Sequence, residues 1–374
     1  YSLSQRFISK KEQLRNRDIS IIGRHFLPFK IEGQLVFPGF PAAEVIYGDD
    51  GAVAGVITQD MGIAADGSQK PDFQPGMEIH AKYTLFAEGA RGSLTKQLKA
   101  KFDLEKDCQP QTYGLGIKEL WEIDPKKHVP GRVIHTQGWP LDNDSWGGGF
   151  LYHIGDNQVA LGFVTALDYA NPYLSPYQEF QRWKHHPDIL DIIEGGKRVA
   201  YGARVINEGG WQSVPQLAFP GGALVGCSAG FVNVPRIKGS HTAMKSGMLA
   251  AESIAAAIAG GAEHSELMDY DDAVRSSWIA EELQKVKNAQ PAVAKWGEDL
   301  GTVLAGIDMW MRTLKIGLPI TMKHHRDHEM LQRADLHKKI AYPKPDGKLS
   351  FDKLTNVAFS YTNHAEDQPV HLKV

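Results

Sequence analysis

The stretch LVGCSAGFVNVPRIKGSHTAMKSGMLAAESIAAAIAGG, residues 224–261, constrains the fold more than any other part of the chain. An apolar run, Ala223-Leu224-Val225, meets Gly226 and gives way to small, polar, proline-kinked chain. An Ala-rich helical pattern then sets in and stops at Gly260-Gly261. A strand that ends in glycine, a bare loop and a helix start form one physical unit. Glycine lets main chain approach a ligand closely, and the first turn of a helix offers unpaired N–H groups and a positive dipole end. The stretch TLFAEGARGS, with Glu88-Gly89-Ala90 after an apolar run from Tyr83 to Ala87, repeats the logic. Such loops, at the carboxyl ends of parallel strands, are where doubly wound sheets hold nucleotides. Two ordinary strand–helix turns are the competing reading, and the pairing of the loops favours a cofactor.

Between the loops the pattern changes. Residues 110–215 carry successive strand-like runs, YGLGIKELWEI, GRVIHTQGW, GGGFLYHI and QVALGFVTALDY, crossed by one helical pattern that Pro187 breaks. Strands without intervening helices predict an antiparallel sheet covered by a helix. Upstream, two β-rich runs flank Asp49-Asp50-Gly51 as a hairpin, and Ser93 reads as the N-cap of a helix reaching Phe102. Seven Lys/Arg residues crowd positions 1–30, a weakly patterned segment expected to be mobile.

With 374 residues, 42% of them hydrophobic, the chain suits two or three interlocked domains, or one large one, with ample apolar surface for a core. A net charge of -3 gives no field for nucleic acid. Two cysteines, Cys108 and Cys227, cannot build a disulfide framework or an all-thiolate cluster, so a reducing compartment is expected. No apolar run is long enough to span a membrane, and the chain starts at Tyr1, as a piece of a longer protein would. The adjacent pairs His185-His186 and His324-His325 are poor chelates, His241 and His364 read as backbone-orienting, and no metal site is expected.

The 226–247 loop, with Gly226, Pro235, Gly239 and Gly247 in order, resembles the late FAD-binding motif of glutathione-reductase-like flavoproteins, with Cys227-Ser228 where Asp is usual. GCSAGFVNVPRIKGSHTAMKSGMLAAES, FAEGARGSLTKQL, HTQGWPLDNDSWGGGFLYH and YPKPDGKLSFDKL with SYTNHAEDQPVHL are similar to the electron transfer flavoprotein–ubiquinone oxidoreductase family. The resemblance runs from about residue 35 to the end. It implies an α/β plus α+β protein: an incomplete glutathione-reductase-like FAD-binding fold with an inserted antiparallel-sheet quinone domain. Its implied divisions are a divergent segment 1–34, FAD-binding parts 35–108 and 219–262, a ubiquinone domain 109–218, a helical region 263–340, and the start of a cluster-domain linker, 341–374.

The resemblance also implies roles. FAD would be lined by Glu88, Gly89, Ala90, Gly226, Ser228, Pro235, Gly239 and Thr242, and ubiquinone by Gly147 and Gly148, which otherwise read as a strand kink. In LGTVLAGIDMWMRTLKIGLPITM, residues 300–322, Val303, Ile307, Trp310, Met311, Leu314 and Leu318 share a helical face. That face reads as core-facing or, as the family implies, as a monotopic membrane surface. Electrons would pass from electron transfer flavoprotein through FAD, and through a [4Fe–4S] cluster of the full-length enzyme, to ubiquinone. The setting would be the matrix face of the mitochondrial inner membrane or a bacterial cytoplasmic membrane. No GxGxxG unit for the FAD pyrophosphate occurs, so weak FAD binding by this chain is expected, and no residue reads as a general acid or base. The alternatives are an NAD(P)H-dependent hydroxylase or isoprenoid reductase of the same fold, or an inactive fragment.

Overall fold

A computed structural model describes residues 37–370 apart from Pro38, Leu318 and Asn363; the basic segment 1–30 lies outside the described residues. The chain opens with β1 (Ala42–Tyr47) and β2 (Val53–Thr58), an antiparallel hairpin turned at Gly51, followed by the short strands β3 (Met61–Ile63), β4 (Gln69–Gln74) and β5 (Glu78–His80). β6 (Thr84–Phe86) then leads into α1 (Ser93–Lys101). Ser93 is not the cap of that helix: Gly92 holds the cap position, and no side chain there bonds the helix. Glu88 serves from six residues upstream, where its carboxylate accepts from Leu94 N at 3.3 Å, Thr95 N at 2.6 Å and Thr95 Oγ1 at 2.7 Å. A carboxylate at a helix N-terminus gains from both the free N–H groups and the dipole.

The expected antiparallel sheet is present. β7 (Tyr113–Glu122), β8 (Val133–His135), β9 (Gly147–Ile154), β10 (Gln158–Ala166) and β11 (Lys197–Asn207) pair in the order β11-β7-β10-β9-β8. α2 (Pro176–Trp183) and α3 (Pro187–Ile193) accompany the sheet, broken from each other just before Pro187. Trp121, Phe163, Phe180, Trp183 and Ile193 form its buried core, each side chain contributing about 1.5–3 kcal/mol of apolar burial. The Trp183 ring needs Gly149 beneath it, since a Cβ there would stand 2.2 Å from Trp183 Cε2.

β12 (Ala218–Phe219) and β13 (Gly222–Leu224) then return the chain to β6 in a three-stranded sheet, with β13 parallel to β6. α4 (Ser240–Ala259), α5 (Met268–Ser276), α6 (Trp278–Val286) and α7 (Ala289–Thr313) follow. Phe86, Leu94, Leu98, Phe219, Leu224, Phe231 and Tyr270 make the second core. α7 is two helical pieces, because Gly297 sits at φ 76°, ψ 174°. Asn143 reseeds the second piece, its O accepting from Glu298 N and its Oδ1 from Asp299 N. The helix ends at Thr313, so the stripe expected to reach Leu318 stops short; Leu318 itself lies outside the described residues. The short helices α8 (Asp327–Met330) and α9 (Lys353–Ala358) complete the fold.

Candidate functional site

Because β6 and β13 run side by side, with Leu224 opposite Phe86, the loops that leave them lie together at their carboxyl ends. Ser228 Oγ donates to Gly89 O at 3.3 Å and joins the two. Gly226 and Gly89 both hold left-handed backbone, at φ 58° and 84°, which side-chain-bearing residues avoid. Ala90 occupies the turn after Gly89. Gly239 precedes α4, whose first turn receives no side-chain cap. Gln111 Nε2 is buried beside Gly230 and has no hydrogen-bond partner among the described residues.

This set fits a flat, polar cofactor held largely by main chain: bare loops, an uncapped helix start and an unpartnered amide. Beside it an open cleft of about 770 Å³ is lined by Arg91, Gln111, Tyr113, Asp327 and His328. Two of the expected cofactor contacts are already engaged within the protein. Glu88 caps α1, and Thr242 Oγ1 donates to Phe231 O at 2.6 Å and to Gly239 O at 2.9 Å. Both hold the loops in shape. His241 bonds a side chain, Glu282 at 2.9 Å, and not main chain as expected.

Gly147 and Gly148 line a second cavity, of about 340 Å³, together with Trp146 and Val164 of the sheet region and Pro235 from the long loop. Ala289, Val293, Thr302, Ala305 and Met309 of α7 close its other side. Pro235 therefore stands in this cavity's wall, which distance along the chain did not reveal. The glycines are required by the sheet: a Cβ on Gly148 would meet Thr136 O at 2.2 Å, and one on Gly147 would meet Val164 O at 2.3 Å. A side chain at Gly148 would thus strike backbone first and disturb the sheet.

α7 turns its other face outward. Leu300, Val303, Ile307, Trp310 and Leu314, spaced alternately by three and four, are all exposed, Trp310 to 71%, and Met311 is half-buried. Among the described residues nothing covers this stripe. No described helix is long and apolar enough to cross a membrane.

The site also holds acids that no motif signalled. Glu208, directly after β11, is 6% exposed and lines the second cavity, and its Oε2 has no hydrogen-bond partner among the described residues. Burial pushes its carboxyl well above the usual range, and the nearby Asp168 and Asp327 push it further. Asp327 accepts from Tyr113 N at 2.9 Å, and burial lifts it to about 7. Asp168 accepts from Gln290 Nε2 at 3.1 Å and is likewise raised, chiefly by burial. The described residues contain no grouping able to hold a metal ion.

Residues 113–206 match the family model described as ETF-QO, ubiquinone-binding. Residues 347–374 match one described as electron transfer flavoprotein-ubiquinone oxidoreductase, 4Fe-4S. The mitochondrial electron transfer flavoprotein-ubiquinone oxidoreductase of Homo sapiens is 54% identical over 91% of this chain and 56% of its own length. The Pseudomonas aeruginosa enzyme of that name is 52% identical over 91% of this chain and 62% of its own length. Among solved structures, a geranylgeranyl bacteriochlorophyll reductase-like protein from Thermoplasma acidophilum aligns with a TM-score of 0.54 and 17% identity, covering 71% of this chain and 61% of that one. That likeness speaks for the mixed α/β fold alone. Across 91% of its residues, then, this chain is a relative of the electron transfer flavoprotein–ubiquinone oxidoreductases, spanning about 56% of the length of the human one.

Proposed function

We propose that the chain carries the quinone-reducing part of an electron transfer flavoprotein–ubiquinone oxidoreductase. It accepts electrons from reduced electron transfer flavoprotein and delivers them to ubiquinone at a membrane surface. The observation that carries the reading is the cavity of about 340 Å³ shared by Trp146-Gly147-Gly148 and α7. It has a mostly apolar wall for a flat ring, and the main chain of Gly147 and Gly148 forms part of that wall without a side chain of its own. The outer face of the same helix is an apolar stripe, as suits a helix lying in the lipid interface of a mitochondrial inner or bacterial cytoplasmic membrane.

FAD belongs to this reading as the ligand of a glutathione-reductase-like pair of loops, where it would supply one-electron exchange between two partners. Gly89, Ala90, Gly226 and Gly239 would present main chain to it, the start of α4 would offer N–H groups, and Ser228 would lock the two loops together. Glu88 and Thr242 would keep those loops rigid. A [4Fe–4S] cluster does not fit the residues present. The stretch 347–374 contains no cysteine, and Cys108 and Cys227 are two separate free thiols.

A short-chain, water-soluble ubiquinone should quench Trp146 fluorescence saturably, and Ala305→Phe, which fills the cavity, should abolish the quenching. Failure of the wild-type chain to bind the quinone would sink the pocket assignment. Trp310→Glu should weaken liposome binding at least about tenfold, since one large apolar side chain is worth roughly 1.5–3 kcal/mol on burial. It should leave short-chain quinone binding intact. Unaltered liposome affinity would remove the membrane role of the stripe.

A further inference from the structure

Reducing a quinone to a hydroquinone consumes two electrons and two protons, one proton for each carbonyl oxygen. The pocket is walled mostly by apolar side chains, so protons need a route of their own. The sheet builds a polar corner at that place. β7 begins at Tyr113, β10 ends at Ala166 opposite Gly114, and β11 ends at Asn207 opposite Tyr113. Glu208 and Asp168 follow the two strand ends. Glu208 lies against Gly114, where a Cβ would stand 2.2 Å from its Oε1. Asp327 holds the neighbouring Tyr113 N. Two carboxylates thus meet consecutive residues, and Asp168 stands near enough to both to raise them. One of them, Glu208, lines the quinone cavity, and another, Asp327, lines the open cleft.

We propose that Glu208, Asp168 and Asp327 form a proton route from the open cleft to the quinone cavity, with Glu208 as the group that protonates the quinone oxygen. The inference rests on the quinone reading of that cavity. As electrons arrive singly from a flavin-class donor, the Glu208 O–H bond breaks and an O–H bond forms on the quinone oxygen. The carboxylate left behind regains its proton from Asp168 and Asp327, which refill from water in the cleft. Glu208 serves one oxygen, and the second proton reaches the oxygen across the ring from water, so that the hydroquinone carries two protons for two electrons.

Three observations support this. Glu208 Oε2 and Asp327 Oδ1 have no hydrogen-bond partner among the described residues, so each carboxyl keeps one oxygen open to carry a proton, although Asp327 also accepts from Tyr113 N through the other. Burial favours the protonated form of all three acids, and their mutual repulsion adds to it for Glu208 and Asp327. Arg91, which lines the open cleft, pulls Asp327 down and so acts at the outer end.

The test uses Glu208→Gln, which keeps a hydrogen-bond donor but cannot release a proton. In this chain, infrared difference spectra at neutral pH should show a protonated carboxyl band that shifts when short-chain ubiquinone binds and is missing in Glu208→Gln. In the flavin-loaded enzyme, proton uptake during quinone reduction should slow about a hundredfold in Glu208→Gln, the lower range for losing a general acid. The apparent quinone affinity should change less than about threefold. Glu208→Asp should restore most of the rate. Asp327→Asn should slow uptake by about tenfold and be rescued by small weak acids. Absence of the Glu208 band, or wild-type proton uptake in Glu208→Gln, overturns the proposal. Ala305→Phe separates the two levels. If it leaves quinone binding unchanged, the pocket reading fails. If it abolishes binding while Glu208→Gln takes up protons normally, the proton route alone fails.

Discussion

Glu119 and Glu208 are both buried acids of the same five-stranded sheet, and they are treated in opposite ways. Glu119, on β7, is met from every side: Lys184 Nζ at 2.9 and 3.2 Å, Trp121 Nε1 at 2.8 Å and Asn356 Nδ2 at 3.0 Å all donate to it. Lys184 is itself fully buried; burial pulls it down to about 8, and Glu119 opposes that pull. The pair is closed on every side. Glu208 has acids for neighbours and one oxygen without a partner. A carboxyl whose bonds are all made cannot trade a proton cheaply, whereas one left open can. Burial therefore does not separate structural from functional acids. What separates these two is the set of partners each acid has and the cavity that Glu208 faces.

The contrast can be broken at Lys184. Lys184→Met strands the Glu119 charge and should cost about 3–5 kcal/mol in chemical denaturation, the range for removing one partner of a buried ion pair. A loss below about 1 kcal/mol would mean that Glu119 is not closed in the sense argued. Asn356→Ala removes the donor to Glu119 and the bond to Tyr177 OH at 2.7 Å. It should cost about 2 kcal/mol, since buried bonds to charged groups are worth roughly 1.5–3.

The smallest effect sharpens the comparison on its other side. Glu298 is buried, one of its oxygens also lacks a partner, and burial raises it to about 7 from the ordinary 4.5. Between those values the folded chain holds more protons than the unfolded one, so wild-type stability falls as pH rises through that window. Glu298→Gln lacks this dependence. Its advantage over wild type should grow from pH 4.5 to 7 and then level off, at about 1–2 kcal/mol, with the full shift setting an upper limit of roughly 3. A pH-independent difference in urea midpoints would refute the assignment. Quinone-coupled proton uptake should survive this substitution, because Glu298 is not among the residues lining the quinone cavity.

The hairpin at Gly51, the antiparallel sheet, the helix broken before Pro187 and the strand–loop–helix after Leu224 were legible because each rests on local pattern: turn chemistry, period-two alternation, proline and glycine punctuation. Glu208 was not legible. Within VINEGG it is an ordinary polar residue after a strand, and it becomes an acid in a pocket only when β7, β10 and α7 close around it. The capping role of Glu88 was not legible for a related reason, since its six-residue reach to the start of α1 follows from loop geometry. The break at Gly297 depends on Asn143, over 150 residues earlier, and no helical period encodes that.

Asn356 has a consequence for how the protein is made. It is fully buried and reaches Glu119 across 237 residues of sequence. During synthesis at roughly 5–20 residues per second, the sheet's strands leave the ribosome well before this residue, on the order of 10–50 s for the Glu119-to-Asn356 interval. Through that interval Glu119 lacks one of its donors, and Arg198 lacks the amide oxygen that later accepts from it. The sheet must wait for its own tail. A chain stalled or cut before position 356 would hold a finished-looking domain with an unfinished electrostatic centre, the state in which a quality-control protease would find it most readily.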